Sequence, residues 1–314
     1  MNSLKYPFND ELPALGAAKK IDANVKWLRM PLPFALDHIN LWLIKDDFNG
    51  RHGWTVVDCG VANQATKDAW ESIFQSELEG LPIVRVIVTH MHPDHIGLAS
   101  WLCERWSAPL WMTMTDYLLA KWLSSPEGAN IGSAAGGGGA ADHFAKHGLN
   151  QEEDLVKIRA RANYFSQMVP GVPSRFRRII DREEIIIGDG VWQVISGYGH
   201  APEHASLWNA KDNLLISGDM VLPRISTNVS VFDTEPDADP LGLYLSSLER
   251  FVDLPMQTLV LPSHGKPFQG LRLRVEQLKK HHQDRLADTM TACQQAPQTA
   301  RDLIPVLFKR DLDL

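Results

Sequence analysis

The segment Thr89-His90-Met91-His92-Pro93-Asp94-His95 places three imidazoles and a carboxylate within six positions, directly after the apolar run Ile83-Val84-Arg85-Val86-Ile87-Val88. Imidazole and carboxylate are the ligands expected for zinc or a similar first-row metal. The pattern describes a strand that carries the chain to a sharp turn, with the ligands held on the turn. Three further candidates each follow a short apolar strand. His200 comes after Val194-Ile195-Ser196-Gly197-Tyr198-Gly199, Asp219 after Leu214-Leu215-Ile216-Ser217-Gly218, and His264 after Leu259-Val260-Leu261-Pro262-Ser263. Loops at strand ends are where a rigid scaffold presents convergent groups. His90, His92, Asp94, His95, His200, Asp219 and His264 make two sets of three with one shared, the arithmetic of a two-metal site. A closed structural zinc usually needs four ligands and often uses cysteine, so seven ligands without cysteine favour catalysis.

The elements that must position these residues are short strands alternating with helices. Val25–Met30, Ile39–Ile44 and Trp54–Val57 read as strands, broken by Pro, Asn and Gly. Apolar residues at 65, 69, 70, 73, 74 and 78 fall on one face of a helix. The strand from Ile83 delivers the histidine cluster, His95 to Trp106 reads as one helix, and Trp111 marks another short strand. From about 115 to 180 the character changes. The glycine run Gly136–Gly139, with a helical segment from Glu152 to Gln167, reads as an insertion or lid rather than sheet. Strand patterns resume at Ile185–Ile187, Val191–Ser196, Ser206–Asn209, Leu214–Ser217 and Thr258–Leu261. An amphipathic helix follows over Arg272–Thr289, and a last helix starts at Ala300. No repeat of twenty to fifty residues is present.

Composition bounds the function. With 314 residues, 44% hydrophobic and 22% charged, the chain is expected to fold as one large domain or as one domain with an appendage. A net charge of −7 argues against a broad nucleic-acid surface, although Arg175, Arg177 and Arg178 cluster. Three cysteines, Cys59, Cys103 and Cys293, suit a reducing compartment and are read as buried thiols. The N-terminus lacks a secretory pattern and no apolar run reaches membrane-spanning length, so a cytoplasmic location without membrane partners is expected.

With these residues in view, the chain resembles metallo-β-lactamase-fold hydrolases. Five motifs of that superfamily have counterparts in order: Asp58 in VVDCG, the THMHPDH cluster, His200 in GYGHAPEH, Asp219 in SGDM and His264 in LPSHGKPF. The resemblance implies an α+β fold, an αββα sandwich of two mixed sheets flanked by helices. It assigns residues 1–270 to the hydrolase domain and 271–314 to a C-terminal helical appendage, a partial winged-helix-like module. It implies that His90, His92 and His200 hold one metal and Asp94, His95 and His264 the other, with Asp219 bridging. Asp58 would accept an imidazole N–H and fix its tautomer. Asp94 would also carry a proton to the leaving group. Two divalent ions are implied, zinc first, with iron or manganese as alternatives.

Other histidines have plainer readings. His204 is placed in a loop as a supporting or satisfied core histidine. His281 and His282 are read as a solvated helix face, His38 as a turn histidine with the cleft wall as alternative, and His143 and His147 as part of the lid. Arg224, Asn228, Tyr164 and Tyr198 are candidates for orienting substrate. Gly136–Gly139 lacks the Gly-Lys-Ser/Thr ending of a phosphate loop.

The fold hosts many reactions, so the site must choose among them. Asp219 and the missing export pattern separate the chain from secreted β-lactamases, and His92 separates it from diiron flavoproteins. The glyoxalase II and lactonase-like branch of unassigned substrate remains. The leading expectation is attack by a metal-bridging hydroxide on a carboxylic ester, thioester or lactone of small-molecule size. The alternatives are a phosphodiesterase or nuclease, a mononuclear iron persulfide dioxygenase, and a non-catalytic metal-stabilised binding protein. The apolar surface expected of the insertion suits a homodimer.

Overall fold

The computed structural model describes residues 3–34, 36–131 and 137–308. The first sheet is built from β1 (Ala18–Lys20), β2 (Val25–Pro31), β3 (His38–Phe48), β4 (Arg51–Val57), β5 (Ile83–Ile87), β6 (Leu110–Met112) and β7 (Arg177–Arg178), side by side in that order. Asn49 and Gly50, both at positive φ, close the β3–β4 hairpin with the two-residue turn that an Asn-Gly pair favours. Pairing is antiparallel up to β4 and parallel from β4 to β7.

The parallel half needs crossovers, and helices supply them. The first is α1 (Gln64–Ser76), which starts where the Asn63 side chain accepts the Thr66 N–H at 2.8 Å and buries Ala69, Trp70 and Ile73 against the sheet. After β5 come α2 (Pro93–Ile96) and α3 (Ala99–Trp106), two helices where one was expected from His95. The break lies at Gly97, where a Cβ would stand 2.7 Å from the Ala62 nitrogen and the Gly60 oxygen. The chain is pressed there against the loop after β4, too closely for any other residue.

Between β6 and β7 lie α4 (Met114–Leu123), α5 (Pro126–Ile131), α6 (Gly138–Lys146), α7 (Glu152–Ala160) and α8 (Tyr164–Met168). The single helix expected over Glu152–Gln167 is therefore two, separated by a turn at 161–163. The expectation of no sheet between 115 and 180 also needs correcting. Arg177 and Arg178 form β7 beside β6, with the Arg177 guanidinium 4.2 Å above the Trp111 ring. Of the glycine run, Gly136 lies outside the described residues and Gly137 caps α6.

The second sheet contains β8 (Glu184–Ile187), β9 (Gly190–Gly197), β10 (His204–Asn209) and β11 (Leu214–Gly218). After α9 (Pro240–Leu248) it adds β12 (Leu259–Pro262) and β13 (Phe268–Gln269). All its pairs are antiparallel except β11 with β12. Alternation sets the faces: Ile185 and Ile187 are buried while Ile186 is 69% exposed. Inward residues of the two sheets, among them Trp27, Trp42, Val57, Trp192, Val194 and Leu207, pack into one core layer. Helices cover the outer face of the first sheet, and α9 with α10 (Leu271–Gln295) covers that of the second. The αββα sandwich of two mixed sheets is thus present.

Beyond Leu278 the helix α10 buries little, and α11 (Ala300–Leu307) follows, capped by Thr299 and Asp302. Cys293 rides on that outer stretch and is exposed, unlike buried Cys59 and Cys103, so the expectation of three buried thiols fails for one. His281 is exposed, but His282 is half-buried beside Tyr244 and Ser226, so the solvated face holds for one of the two. Residues 309–314 of the expected final helix lie outside the described residues. No described helix is long and apolar enough to cross a membrane.

Arg85, the charge inside the apolar run of β5, ties the sheets together at the end away from the histidine turn. Only 2% of its side chain is exposed, and its Nη2 donates to Asp46 Oδ2 at 2.6 Å and to the Ile186 carbonyl of β8 at 2.9 Å. Asp46 Oδ1 accepts the Gly188 N–H at 2.8 Å. Removing one partner of such a pair leaves a buried charge uncompensated, at a cost of about 3–5 kcal/mol. Arg85→Ala is therefore expected to lower the urea-unfolding midpoint by that equivalent; an unchanged midpoint would contradict the role given to this pair.

Candidate metal centre

The histidine turn, the β9–β10 loop and the ends of β11 and β12 converge at one edge of the sandwich. His90 Nε2 and His92 Nδ1 stand 2.8 Å apart, and each is 3.1 Å from His200 Nε2. Nitrogens bound at about 2.0–2.1 Å to one metal lie about 2.9 Å apart in octahedral and about 3.3 Å apart in tetrahedral geometry. The triangle fits that span. A second group, Asp94, His95 and His264, gathers beside it. The Asp94 Oδ2 atom is 3.5 Å from His95 Nε2 and 3.4 Å from His264 Nε2. Asp219 lies between the groups, with Oδ2 3.3 Å from His200 Nε2 and Oδ1 3.5 Å from His264 Nε2 and 3.7 Å from His95 Nε2.

Hydrogen bonds on the far side of each ring fix its tautomer. His200 Nδ1 donates to the Asn228 carbonyl at 2.7 Å, and His264 Nδ1 to the His38 carbonyl at 2.8 Å. Carbonyls only accept, so in the neutral rings both Nε2 atoms carry lone pairs. His95 Nδ1 donates to Asp58 Oδ2 at 2.8 Å. The Thr89 hydroxyl donates its one proton to Asp58 at 2.9 Å, which leaves it to accept from His90 Nδ1 at 3.0 Å. Four imidazoles therefore aim lone pairs at one another and at two carboxylates. His95 Nε2 and Asp219 Oδ1 are buried without any hydrogen-bond partner among the described residues. Acceptors facing acceptors in a buried place repel unless positive charge, a metal ion or a proton on a ring nitrogen, sits among them. The residues fit a metal.

The electrostatics divide the same way. Burial holds His90 and His204 well below the ordinary imidazole range and His92 at about 3, with neighbouring imidazoles adding to it. Burial also opposes charge on His95 and His264. There the carboxylates win, Asp94, Asp58 and Asp219 raising His95 to about 9, and Asp219 with Asp94 raising His264 well above its usual value. Asp94 lies at about 2, because His95 and His264 outweigh its burial, and Asp219 is held well below the carboxylate range for the same reason. The Asp94–Asp219 half is the stronger attractor of positive charge.

Comparison with known proteins agrees with this geometry. The pattern described as Metallo-beta-lactamase superfamily matches residues 35–264, and that described as Metallo-beta-lactamase-like, C-terminal domain, matches 286–314. The chain belongs to the metallo-beta-lactamase superfamily. Within it, a "Beta-lactamase domain protein" of Burkholderia ambifaria is 50% identical, with a TM-score of 0.92 over 99% of this chain and 87% of that one. A metallo-beta-lactamase family protein of Thermus thermophilus is 26% identical, with a TM-score of 0.75 over 93% of this chain and 89% of that one. The "Probable metallo-hydrolase YqjP" of Bacillus subtilis is 24% identical over 91% of this chain and 87% of its own length.

All seven expected ligand residues of this superfamily member meet at the edge, and Asp58 holds the tautomers of His95 and, through Thr89, His90. Asp58 has φ +64°, a left-handed conformation that marks a constrained position. His204 is not in a loop but opens β10, fully buried. Its Nε2 accepts the Asp219 N–H at 3.1 Å, while its Nδ1 has no partner among the described residues. A Cβ on Gly218 would stand 2.2 Å from His204 Nε2, so the glycine of SGDM makes room for that ring.

His38 is more than a turn histidine: its carbonyl orients His264, and its Nε2 accepts the Gly265 N–H at 2.9 Å. Tyr164 and Asn228 line the cleft, whereas Tyr198 does not; its backbone N–H binds Ser247.

Two supports were missed. Asp116 is fully buried, accepts the Met91 N–H at 2.8 Å and the Glu203 N–H at 2.6 Å, and so clamps the histidine turn to the His200 loop. Its burial raises it to about 6, against the two backbone donors. Asn40 takes the Trp27 indole N–H at 2.8 Å and donates to the Pro262 and Gly265 carbonyls at 2.8 and 2.9 Å, bracketing His264. Neither lies in a motif of ligand type; only an aspartate just inside a helix, and an asparagine inside a strand, hint at them.

Asp58→Asn keeps the shape but loses the charge and offers His95 or Thr89 a donor where each now meets an acceptor. Metal affinity is expected to fall about 10–100-fold, read by competition with a chromophoric chelator; undiminished affinity would show that Asp58 does not orient the ligands.

Proposed function

We propose that this metal-dependent hydrolase cleaves a carboxylic ester, thioester or lactone, with His90, His92 and His200 holding one divalent ion, Asp94, His95 and His264 a second, and Asp219 shared. The observation that carries the reading is Asp219, with one carboxylate oxygen turned to each trio of the cluster. Zinc is the proposed metal; iron and manganese suit the same donors. Bound there, the ions lower the pKa of water and polarise the attacked oxygen.

The chain's own residues supply the rest. Asp94 and Asp219 offset half the charge of two divalent ions, so the centre stays net positive, the sign that favours an anionic transition state. In hydrolysis the water oxygen joins the carbonyl carbon, the C–O or C–S bond breaks, and one water proton passes to the leaving alkoxide or thiolate. Asp94 lines the cleft and is 17% exposed, so its carboxylate can take that proton and hand it on. Apolar walls from Leu119, Trp122, Phe165 and Met168 exclude water on the approach side and favour a carbonyl substrate over a phosphodiester.

The test is a panel of p-nitrophenyl esters, thioesters, lactones and bis-p-nitrophenyl phosphate with the zinc-loaded protein. Carbonyl substrates are expected to turn over, to stop after chelation and to resume on zinc addition, and Asp94→Asn is expected to cost about 10²–10⁴ in kcat. Turnover confined to the phosphodiester, oxygen uptake on a persulfide, or no turnover with metal loaded would each overturn the reading.

A further inference from the structure

Two cavities, one lined by cations and one not, meet at His264. The first, about 360 Å³, is the apolar cleft over His92, Asp94, His200 and Asp219, walled by Leu119, Trp122, Phe165 and Met168. The second, about 860 Å³, opens on the other flank of His264 and is lined by Arg29, Arg224, Lys266, His38 and Asp37. His264 and Leu36 line both.

The second cavity has a cationic surplus. Asp37 is the one carboxylate among its lining residues, and it serves Arg29 at 3.6 Å and His38 at 2.5 Å. Lys266 pairs with Asp10, and Arg224, exposed, makes no ion pair among the described residues. A positively lined cavity raises the local concentration of anions, although the whole chain carries −7. Cations on one flank only of a ligand histidine orient a substrate as well as bind it. A molecule with one apolar and one anionic end fits in only one sense.

Resting on the carbonyl-hydrolase reading, we propose that the substrate joins an apolar acyl arm, held against Trp122 and Phe165, to an anionic alcohol or thiol arm held by Arg224, Arg29 and Lys266. The scissile carbonyl lies between them at His264 and Asp219. The products are an apolar carboxylic acid and a phosphate- or carboxylate-bearing alcohol or thiol.

The probes are acyl thioesters of coenzyme A, of 3-mercaptopropionate and of neutral N-acetylcysteamine, from acetyl to octanoyl, with the S-octyl thioethers of the same thiols as non-hydrolysable ligands for calorimetry. kcat/KM is expected to rise about fourfold per methylene until the cleft fills. The anionic thioesters are expected to exceed the neutral one about tenfold at low salt, by a margin that shrinks as salt is added. The two anionic thiols separate phosphate from carboxylate as the favoured end. Arg224→Glu should reduce the anionic-to-neutral ratio in both turnover and thioether binding, and Leu119→Trp should shorten the preferred acyl chain. Equal kcat/KM across chain lengths, or equal binding of anionic and neutral thioethers, would overturn the proposal. If no ester, thioester or lactone turns over, the carbonyl reading fails by itself, and thioether binding still decides whether the two arms are there.

Discussion

Four imidazoles use their N–H groups outward, on Thr89, Asp58, the Asn228 carbonyl and the His38 carbonyl, and so point lone pairs inward at one another and at Asp94 and Asp219. That arrangement is electrostatically unfavourable in a buried place, and everything around it serves to impose it. Without the outer partners each ring could turn or change tautomer, and the inward repulsion would relax into ordinary hydrogen bonds. The partners hold the rings in place, and Asp94 with Asp219 raises His95 and His264 in the same sense, so the cluster is preorganised for positive charge.

The sandwich makes this possible by bringing strand ends from two sheets to one edge. The Thr89 carbonyl accepts the Ala205 N–H from the opposite sheet at 2.8 Å, and the Ser263 carbonyl accepts the Asn40 N–H at 2.7 Å. Asp116 and Asn40 add side-chain clamps to the same loops. At the far end Arg85 and Asp46 close the sheets against each other. The edge that carries the acceptors is thereby held by interactions that have no chemical task of their own.

Much of this was legible in the sequence because it rests on local rules. HxHxDH after an apolar strand, His200, Asp219 and His264 after three more, and Asn-Gly between β3 and β4 each declare their structure in a few adjacent residues. What escaped depends on distant partners. His204 looked loop-like beside Pro202, yet pairing with β9 makes it the first residue of a strand, set beneath Asp219. His38 and Asn228 orient His264 and His200 through their carbonyls, which every residue has, so that role left no signal in the sequence. Gly97 splits a helix because Gly60 and Ala62 press on it, and Arg177–Arg178 becomes a strand because β6 offers a free edge. Cys293 reads as buried from its residue type alone, but the helix that carries it runs past the core.

The chemistry proposed for the centre follows from charge and position: Asp219 shared, Asp94 open to the cleft, apolar walls on one flank and cations on the other. All of it depends on two cations occupying the acceptor cluster. Elemental analysis of the purified protein, quantified against chain concentration, tests that most directly. The account predicts two equivalents of divalent metal per chain. Protein that is active on its substrate while holding no metal, or only a single iron, would contradict it.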